Sequence, residues 1–207
     1  MPASRPQRSS PALRVIEGGA APDRGPDLAL AAAVSAGDQR AAARLFEQQR
    51  VRVTAALYRV LGHFGADHED LVQTAFVQLV TSLPSYRGEC SLGTWASRVA
   101  AHVAFNALRS RRRAGAVFSP EELGDAESPR KVDPVLAMRL REALAELSDE
   151  KAETVILFDL LGHDLSEIAA LTGATVAAAQ SRLVRGREEL RSHLADLAPK
   201  SSDRRRR

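Results

Sequence analysis

The 207-residue sequence contains one cysteine, few aromatic residues and no long apolar run. Because Cys90 stands alone, the chain cannot form an internal disulfide or a zinc site built from several thiolates. No apolar run reaches the roughly 20 residues that a membrane-spanning helix requires, and the N-terminus lacks the apolar core of a secretory signal. We therefore expect a cytoplasmic protein without membrane insertion.

An excess of charge of one sign is also absent, because the formal net charge is only +3 although 27% of the residues are charged. The arginines nevertheless cluster at 109–113, 182–187 and 204–207. Local basic faces on a nearly neutral chain favour a nucleic-acid partner over a membrane surface. Aromatic residues make up only 4% of the chain, so each exposed ring requires an explanation.

Signs of catalysis are missing as well. No phosphate-binding glycine loop and no nucleophile beside a base are recognisable, and the histidines lack the spacing of metal ligands. An enzyme such as a nuclease is therefore the least favoured class, and we expect neither a metal nor another cofactor. The histidines are His63, His68, His102, His163 and His193.

Helical periodicity divides the chain into two small units. Residues 1–26 have no apolar period and predict a disordered extension, and residues 198–207 predict a disordered basic tail. Residues 27–113 predict one helical domain and residues 133–197 a second one. The mixed charge of residues 114–132 predicts a flexible linker. Because no segment alternates like a strand, the predicted fold class is all-α.

In the first domain, spacing and caps predict helices at 27–36, 39–61, 67–82 and 95–113, with a loop over 83–93. Asp67 is the expected cap of the third helix, and Phe46 and Val80 are expected in the apolar stripes of their helices. Helix 67–82 carries an acid, an amide and an apolar group on the face opposite its apolar stripe, which suggests docking of another protein. The alternative is a solvated face whose first-turn acid is favoured by the helix dipole. The residues of this face are Asp70, Gln73, Thr74 and Val77.

Helix 95–113 has one face that mixes basic and aromatic side chains. At 3.6 residues per turn, five polar residues and Trp95 fall within an arc of about 80°. Such a face suits unstacked bases, because arginines follow the phosphates while aromatic rings stack on bases. The alternatives are a core position for Trp95 and an ordinary solvated face for the rest. The five polar residues are Arg98, His102, Asn106, Arg109 and Arg113, and Phe105 is expected at the edge of this face.

The C-terminal half has the pattern of a helix-turn-helix. Ser148 is expected to cap a helix that ends at Gly162, and Val176 is expected on the inner face of the final helix. Asp164 and Glu167 have the spacing of a capping box, and Gly173 predicts a tight turn before a final helix capped by Thr175. The outer face of that helix is placed to meet base edges and phosphates. A helical hairpin with a solvated basic face is the alternative. The residues concerned are Ala178, Ser181, Arg182 and Arg185, with Arg187 as a further phosphate contact.

These patterns together resemble the bacterial sigma factors of the extracytoplasmic-function (ECF) group. The run HEDLVQTAF at His68–Phe76 resembles the family's acidic helix AEDLVQEVF, with Asp70, Leu71 and Gln73 among the matching residues. The resemblance implies that this helix docks on the clamp of core RNA polymerase, with Thr74 and Val77 on the same face.

Two further stretches carry the resemblance. Tyr86-Arg87-Gly88 and Thr94-Trp95 resemble the family's aromatic-x-glycine loop and tryptophan-containing helix start, which implies capture of the downstream promoter element as the duplex opens. Glu167-Ile168-Ala169 and Ser181–Arg185 resemble the family's C-terminal domain, which implies reading of the upstream element as duplex.

The chain also departs from the family pattern. His102 stands where the family often has asparagine, and Asn106 where it often has aspartate. In the recognition helix, Ala177-Ala178-Ala179-Gln180 replaces a common Gly-Thr-Val-Lys. The alanines carry no hydrogen-bond code but can touch thymine methyl groups, and Gln180 can reach adenine or a phosphate.

The resemblance implies a factor that binds core RNA polymerase, recognises two promoter elements and assists DNA opening, without a covalent step of its own. The implied partners are core RNA polymerase, promoter DNA and an anti-sigma factor. A stand-alone helix-turn-helix regulator is the alternative function. It would leave Asp70, Gln73 and the Trp95 face without a role.

Overall fold

The computed structural model describes residues 23–62, 65–115 and 133–195, which form helices joined by short turns and contain no strand. This confirms the all-α class. The predicted extension, linker and basic tail lie wholly or mostly outside the described residues. The helices are α1 (Gly25–Ser35), α2 (Gln39–Leu61), α3 (His68–Ser82), α4 (Leu92–Arg113), α5 (Pro134–Glu146), α6 (Asp149–Val155), α7 (Leu165–Thr172) and α8 (Val176–Ala195).

Helices α2 and α4 form the centre of the first unit, and α1 and α3 pack beside them. Helix α2 begins at the predicted residue because Asp38 accepts hydrogen bonds from the backbone N of Arg40 at 2.8 Å and of Ala41 at 3.1 Å. It ends at Gly62, whose φ of +80° is in the left-handed region that favours glycine. Local caps therefore determine both ends.

Helix α4 begins three residues before the predicted start at Trp95. The side chain of Ser91 accepts a hydrogen bond from the backbone N of Thr94 at 2.9 Å, so the helix begins at Leu92. Leu92 is fully buried, which fixes this extra turn against the core. The predicted loop over 83–93 is shorter than expected for the same reason, and it opens with a 3₁₀ turn at Leu83–Ser85.

Two further details of the first unit differ from the predictions. Asp67 precedes α3, but its side chain makes no capping hydrogen bond. It instead forms an ion pair with Arg111 of α4 at 2.9 Å. Phe105, expected at the edge of the polar face of α4, is 3% exposed and belongs to the core.

The second unit is a helix-turn-helix supported by α5. The capping box at α7 is present, with Asp164 accepting from the backbone N of Glu167 at 2.8 Å and Glu167 accepting from the backbone N of Asp164 at 3.2 Å. Gly173 has a φ of +65° in the turn, and Thr175 Oγ1 accepts from the backbone N of Ala178 at 3.1 Å. The predicted motif is confirmed.

Helix α6 does not continue as a plain α-helix to Gly162. It passes into a π-helical turn at Ile156–Leu160, and Ser148 makes no side-chain cap. Helix α8 packs closely on α6 at Gly186, where a Cβ would lie 2.8 Å from Val155 Cγ2. Val176, expected on the inner face of α8, is 48% exposed because it lies in the first turn, beyond this contact.

The two units pack against each other, and Arg141 of α5 makes one contact between them. Its Nε donates to the carbonyl oxygen of Val60 at 3.2 Å, and its Nη1 donates to that of Ala137 at 2.8 Å. A Cβ at Gly62 would lie 1.7 Å from its Nη2. Burial lowers the pKa of Arg141. The second unit thus satisfies a carbonyl group at the end of α2 that the helix itself leaves unpaired.

Within the ranges that the structure covers, no helix combines the length and the apolar character needed to cross a membrane.

Candidate polymerase and nucleic-acid interfaces

The polar face of α3 is exposed, as the spacing predicts. The side chains of Asp70, Gln73, Thr74 and Val77 lie on the surface, with Val77 57% exposed. Leu71 is half-buried at the margin of this face and packs on the core. The face is therefore free to contact another molecule in this conformation.

An apolar patch that the sequence did not predict lies next to this face. Phe46 of α2 is 39% exposed and Val80 of α3 is 38% exposed, although both were expected in the core stripes. The ring of Phe46 lies 4.6 Å from that of Phe76. Val80 follows Val77 at i+3, so helical spacing could have placed it on the outer face. The exposure of Phe46 depends on how α2 meets α3.

The start of α4 borders an aromatic cleft. Trp95 is half-buried, and its Nε1 donates to Ser82 Oγ at 2.9 Å, which fixes the indole ring. Trp95 therefore packs on the core, as the alternative predicts, and it also lines an open cleft. The cleft measures about 310 Å³ and is bordered by Gln78, Ser82, Ser85, Trp95, Arg98 and His102.

Tyr86 lies behind the cleft rather than in it. It is 7% exposed, and its hydroxyl donates to the carbonyl oxygen of Cys90 at 2.7 Å. Burial raises its pKa to about 12. Its ring meets the ring of Trp95 edge-on, with 5.6 Å between the centroids. In this conformation Tyr86 supports Trp95 and presents no open ring face on which a base could stack.

The predicted polar face of α4 is partly exposed and partly covered. His102, Asn106 and Arg113 lie on the surface. Arg98 and Arg109 also lie on this side of the helix, and their guanidinium groups stand 5.7 Å from the Trp95 ring and 5.2 Å from the Phe105 ring.

Sequence reasoning missed the partners of these two arginines. Arg98 Nε donates to Glu153 Oε1 at 2.7 Å, and Arg109 donates to Asp149. Both carboxylates belong to α6 of the second unit. No local spacing could reveal pairs formed between residues 55 and 40 positions apart.

The outer face of α8 presents the predicted residues. Ala177, Gln180 and Arg185 are exposed, and Ala178 and Ser181 are half-buried. These side chains follow the turn of the helix-turn-helix, where base edges of a duplex are within reach.

Two arginines of α8 are held by acids of the same unit. Arg182 Nη2 lies 3.0 Å from Glu150 Oε1. Arg187 Nε donates to Asp159 Oδ2 at 3.0 Å, and this hydrogen bond raises the pKa of Arg187. The Arg187 guanidinium also stands 5.1 Å from the ring of Phe158.

The molecule thus has two small helical units, each with an arginine-bearing helix. One of these helices borders an aromatic cleft and the other follows a helix-turn-helix. This arrangement is typical of the class of proteins that contact nucleic acid through basic helices.

The comparisons with known proteins narrow that class. Residues 45–114 match Sigma-70 region 2, and residues 137–190 match Sigma-70, region 4. The chain is 35% identical over 163 residues to the RNA polymerase sigma factor CarQ of Myxococcus xanthus, which covers 78% of this chain and 93% of CarQ. It is 30% identical over 134 residues to the ECF RNA polymerase sigma factor SigC of Mycobacterium tuberculosis, which covers 63% of this chain and 70% of SigC.

A solved structure agrees with these relatives. CnrH, a sigma factor of Cupriavidus metallidurans, was solved in complex with the cytosolic domain of CnrY. The match has a TM-score of 0.52 and 26% identity, and covers 84% of this chain and 99% of that chain.

The chain therefore belongs to the sigma-70 family, as a sigma factor of the ECF group. It binds core RNA polymerase, recognises promoter DNA and promotes DNA opening at transcription initiation. The comparisons give no support to a stand-alone helix-turn-helix regulator.

Proposed function

We propose that α3 is the helix that docks on core RNA polymerase. The contacts are made by Asp70, Gln73, Thr74 and Val77, with Leu71 at the margin. The exposure of this face supports the proposal, because no other described part of the chain covers it. Polar anchors beside an apolar patch are typical of protein interfaces with a packed centre and a polar rim.

The cleft beside Trp95 is the single observation that best supports a role of α4 in DNA opening. It is open to solvent and measures about 310 Å³, and Trp95 supplies an aromatic ring at its wall. Arg98, Arg109 and Arg113 follow the phosphates of the displaced strand, because guanidinium groups pair well with phosphate.

The rest of the α4 site supports this contact. His102 and Asn106 offer hydrogen-bonding groups to the downstream element. Tyr86 contributes indirectly, through the edge-on contact between its ring and that of Trp95. Its role is therefore to position the indole ring.

Helix α8 reads the upstream element as duplex in this proposal. Ala177 and Ala178 contact thymine methyl groups, while Gln180 and Ser181 reach base edges or phosphates. Arg182 contributes to sequence preference, and the remaining arginines, Arg185 and Arg187, bind phosphates. The domains that carry these roles span residues 27–113 and 133–197.

Family membership also supports three broader proposals. The protein works in the cytoplasm, where its polymerase and DNA partners are. It acts by binding and carries out no catalysis. An anti-sigma factor controls it, which is consistent with the capture of the relative CnrH by a cytosolic domain of another protein.

The role of α4 is tested by changing Trp95→Ala and Arg98→Ala together. Stacking is worth about 1–3 kcal/mol per base, so we expect the open complex to form at least about fivefold more slowly. Permanganate reactivity of unpaired thymines in the holoenzyme complex measures opening, and circular dichroism verifies that the variant folds. Arg50→Ala, an exposed arginine of α2, is the matched control.

A promoter that already contains mismatches should partly rescue the double variant, because the cost of unpairing is then already met. A folded double variant that opens duplex promoters as fast as the wild type would refute the role of this face.

A further inference from the structure

The first turn of α1 meets the start of α4, although the two contacting residues lie 65 positions apart in the chain. Asp27 Oδ2 accepts a hydrogen bond from the backbone N of Leu92, the first residue of α4, at 2.9 Å. Ser91 Oγ accepts from the backbone N of Thr94, also at 2.9 Å. Because the first N–H groups of a helix have no partner within that helix, Asp27 supplies an acceptor that α4 itself lacks.

The charge and the burial of Asp27 both strengthen this anchor. A carboxylate at the first turn of a helix is favoured by the helix dipole, and a charged acceptor forms a stronger hydrogen bond than a neutral one. Asp27 is half-buried, and Leu92 is 1% exposed, so the hydrogen bond lies at the edge of the core. The start of α4 therefore depends on α1 as well as on its own cap at Ser91.

Helix α1 also holds the loop that precedes α4. Leu28 packs over Gly88, where a Cβ would lie 3.2 Å from the nearest atoms of the Leu28 side chain. Asp27 lies near the phenol of Tyr86, and its charge adds to the effect of burial in raising the pKa of Tyr86 to about 12. Two adjacent residues of α1 therefore act on the loop and on the helix that follows it.

These contacts converge on Trp95. Its backbone N donates to the carbonyl oxygen of Ser91 at 3.0 Å, within the turn that Asp27 anchors. Its ring meets the ring of Tyr86 edge-on, with 5.6 Å between the centroids. Asp27 thus reaches Trp95 by two routes, one through the first turn of α4 and one through Tyr86.

We propose that Asp27 is a positioning residue for promoter opening, which holds the first turn of α4 so that the ring of Trp95 stays at the wall of the cleft. This inference rests on the proposed role of Trp95 in DNA opening. Helix α1 lies before residues 45–114, which match Sigma-70 region 2, so the family match assigns it no role. Its contacts give it one, because a binding site is effective only when surrounding residues hold its side chains in place.

The positioning is tested without DNA, because Trp95 is the single tryptophan of the chain and its fluorescence therefore reports on this site alone. In Asp27→Ala the first turn of α4 loses an acceptor. We expect the emission to shift to longer wavelength and acrylamide to quench it more strongly than in the wild type, because a loosened indole ring gains contact with water.

Asp38→Ala is the matched control. Asp38 accepts from the backbone N of Arg40 at 2.8 Å and of Ala41 at 3.1 Å, so this variant also removes a carboxylate from the start of a helix in the same unit. Losses of such acceptors cost comparable stability, but Asp38 does not border the cleft. Its emission and quenching should match those of the wild type. Circular dichroism verifies that both variants fold.

Asp27→Asn is the conservative variant. Its amide keeps an acceptor oxygen for the backbone N of Leu92, and asparagine is about as good a helix-capping residue as aspartate. Emission and quenching should therefore return towards those of the wild type. Should Asp27→Ala fail to fold, Asp27→Ser takes its place with the same expectation, because its oxygen lies one bond closer to its own backbone.

The link to promoter opening is measured with the holoenzyme by permanganate reactivity. We expect Asp27→Ala to open duplex promoters at least about threefold more slowly, and Asp27→Asn and Asp38→Ala to stay within about twofold of the wild type, since a lost cap is worth a factor of this size. Because Asp27 acts through Trp95, Asp27→Ala should cause little further slowing in a Trp95→Ala background.

Unchanged emission and quenching in Asp27→Ala, or equal changes in Asp38→Ala, would overturn the positioning role. Equal losses in Asp27→Asn and Asp27→Ala would overturn the hydrogen bond to Leu92 as its cause. A shifted emission with opening at the wild-type rate, or a slowing that persists in full without Trp95, would overturn the link to promoter opening.

Failure of the proposed function is seen elsewhere. It would appear as unchanged opening by the Trp95→Ala with Arg98→Ala variant, in which Asp27 is intact, whereas failure of the positioning appears in the fluorescence of Trp95 without polymerase or DNA.

Discussion

Helices α4 and α8 both present arginines, yet they neutralise them in different ways. On α4, Arg98 and Arg109 pair with carboxylates of the other unit. On α8, Arg182 and Arg187 pair with carboxylates of their own unit. Whether the α4 arginines can bind DNA phosphates therefore depends on how the two units are arranged. Whether the α8 arginines can do so depends only on a phosphate replacing an acid of the same unit.

This difference in ion pairing also distinguishes how the two promoter elements are expected to meet the protein. We expect the upstream element to meet α8, on which residues such as Gln180 and Arg185 are exposed. We expect the downstream element to meet α4, where Arg98 and Arg109 are already paired with carboxylates of the other unit. DNA phosphates at α4 would therefore compete with acids of the other unit, and those at α8 with acids of their own unit.

The largest effect is expected on α3, which neither set of ion pairs covers. Asp70→Ala with Gln73→Ala should weaken binding to core polymerase at least roughly thirtyfold, because a truncated interface anchor costs about 2 kcal/mol or more. Affinity is measured with labelled full-length protein. Helix content should not change, since both side chains are exposed. Affinity within twofold of the wild type would contradict the docking role.

A second substitution tests whether α6 and α8 are packed rigidly against each other. Gly186→Val would force a side chain against Val155, since even a Cβ at this position lies 2.8 Å from Val155 Cγ2. We expect a loss of about 2 kcal/mol in the free energy of unfolding, as is usual for overpacked sites. Denaturant unfolding of the full chain measures it.

Arg191→Val is the control for Gly186→Val, because it places the same β-branched side chain at an exposed position of α8. Equal stability of the two variants would show that α8 can shift on α6. The pairs of Arg182 and Arg187 could then not be treated as fixed within their unit.

A smaller effect is expected behind the aromatic cleft. Tyr86→Phe removes the hydrogen bond to the carbonyl oxygen of Cys90 and should cost about 1 kcal/mol near neutral pH. Burial raises the pKa of Tyr86 from 10.0 to about 12, so the folded state favours the neutral phenol. The contribution from this shift is fully present below pH 10 and is lost as the pH rises towards 12, because the unfolded phenol ionises first.

The difference in stability between the wild type and Tyr86→Phe should therefore narrow as the pH rises above 10. Denaturant unfolding at pH 8 and at pH 11 measures this, with both proteins in a Cys90→Ala background because the pKa of that thiol is also raised, to about 11. A constant difference would show that the phenol of Tyr86 is hydrated. Contacts other than that with Tyr86 would then have to hold the Trp95 ring in place.

The smallest effect distinguishes two arginines of α8. Arg185 is exposed and has no ion pair among the described residues, whereas Arg187 is held by Asp159. Arg185→Ala should reduce the salt dependence of log affinity for duplex DNA by about 0.9. Arg187→Ala should reduce it less, because Asp159 already neutralises that charge in the free protein. Equal reductions would show that the Asp159 pair breaks completely on DNA.

Local signals predicted most of the elements. The ends of α2 are set by Asp38 and Gly62, because a cap acts on its own helix. The ends of α7 are set in the same way by Asp164, Glu167 and Gly173. Errors arose where a distant contact competes with a local preference. Asp67 pairs with Arg111 instead of capping α3, and Phe105 turns into the core.

The same distinction between local signals and distant contacts applies to the candidate sites. The exposed face of α3 and the outer face of α8 follow from helical spacing, since one side of each helix is buried. The exposure of Phe46 and the burial of Tyr86 do not, because they depend on how neighbouring elements meet.

By itself, the sequence determined that the protein is all-α, that it has a helix-turn-helix, and that arginines share a face with Trp95 on α4. These properties follow from periodicity and caps, which act within a few residues of each other. Only the tertiary structure decided that Glu153 and Asp149 lie against Arg98 and Arg109. Attraction between opposite charges has no fixed spacing along a chain, so its partners are known only once the helices are packed.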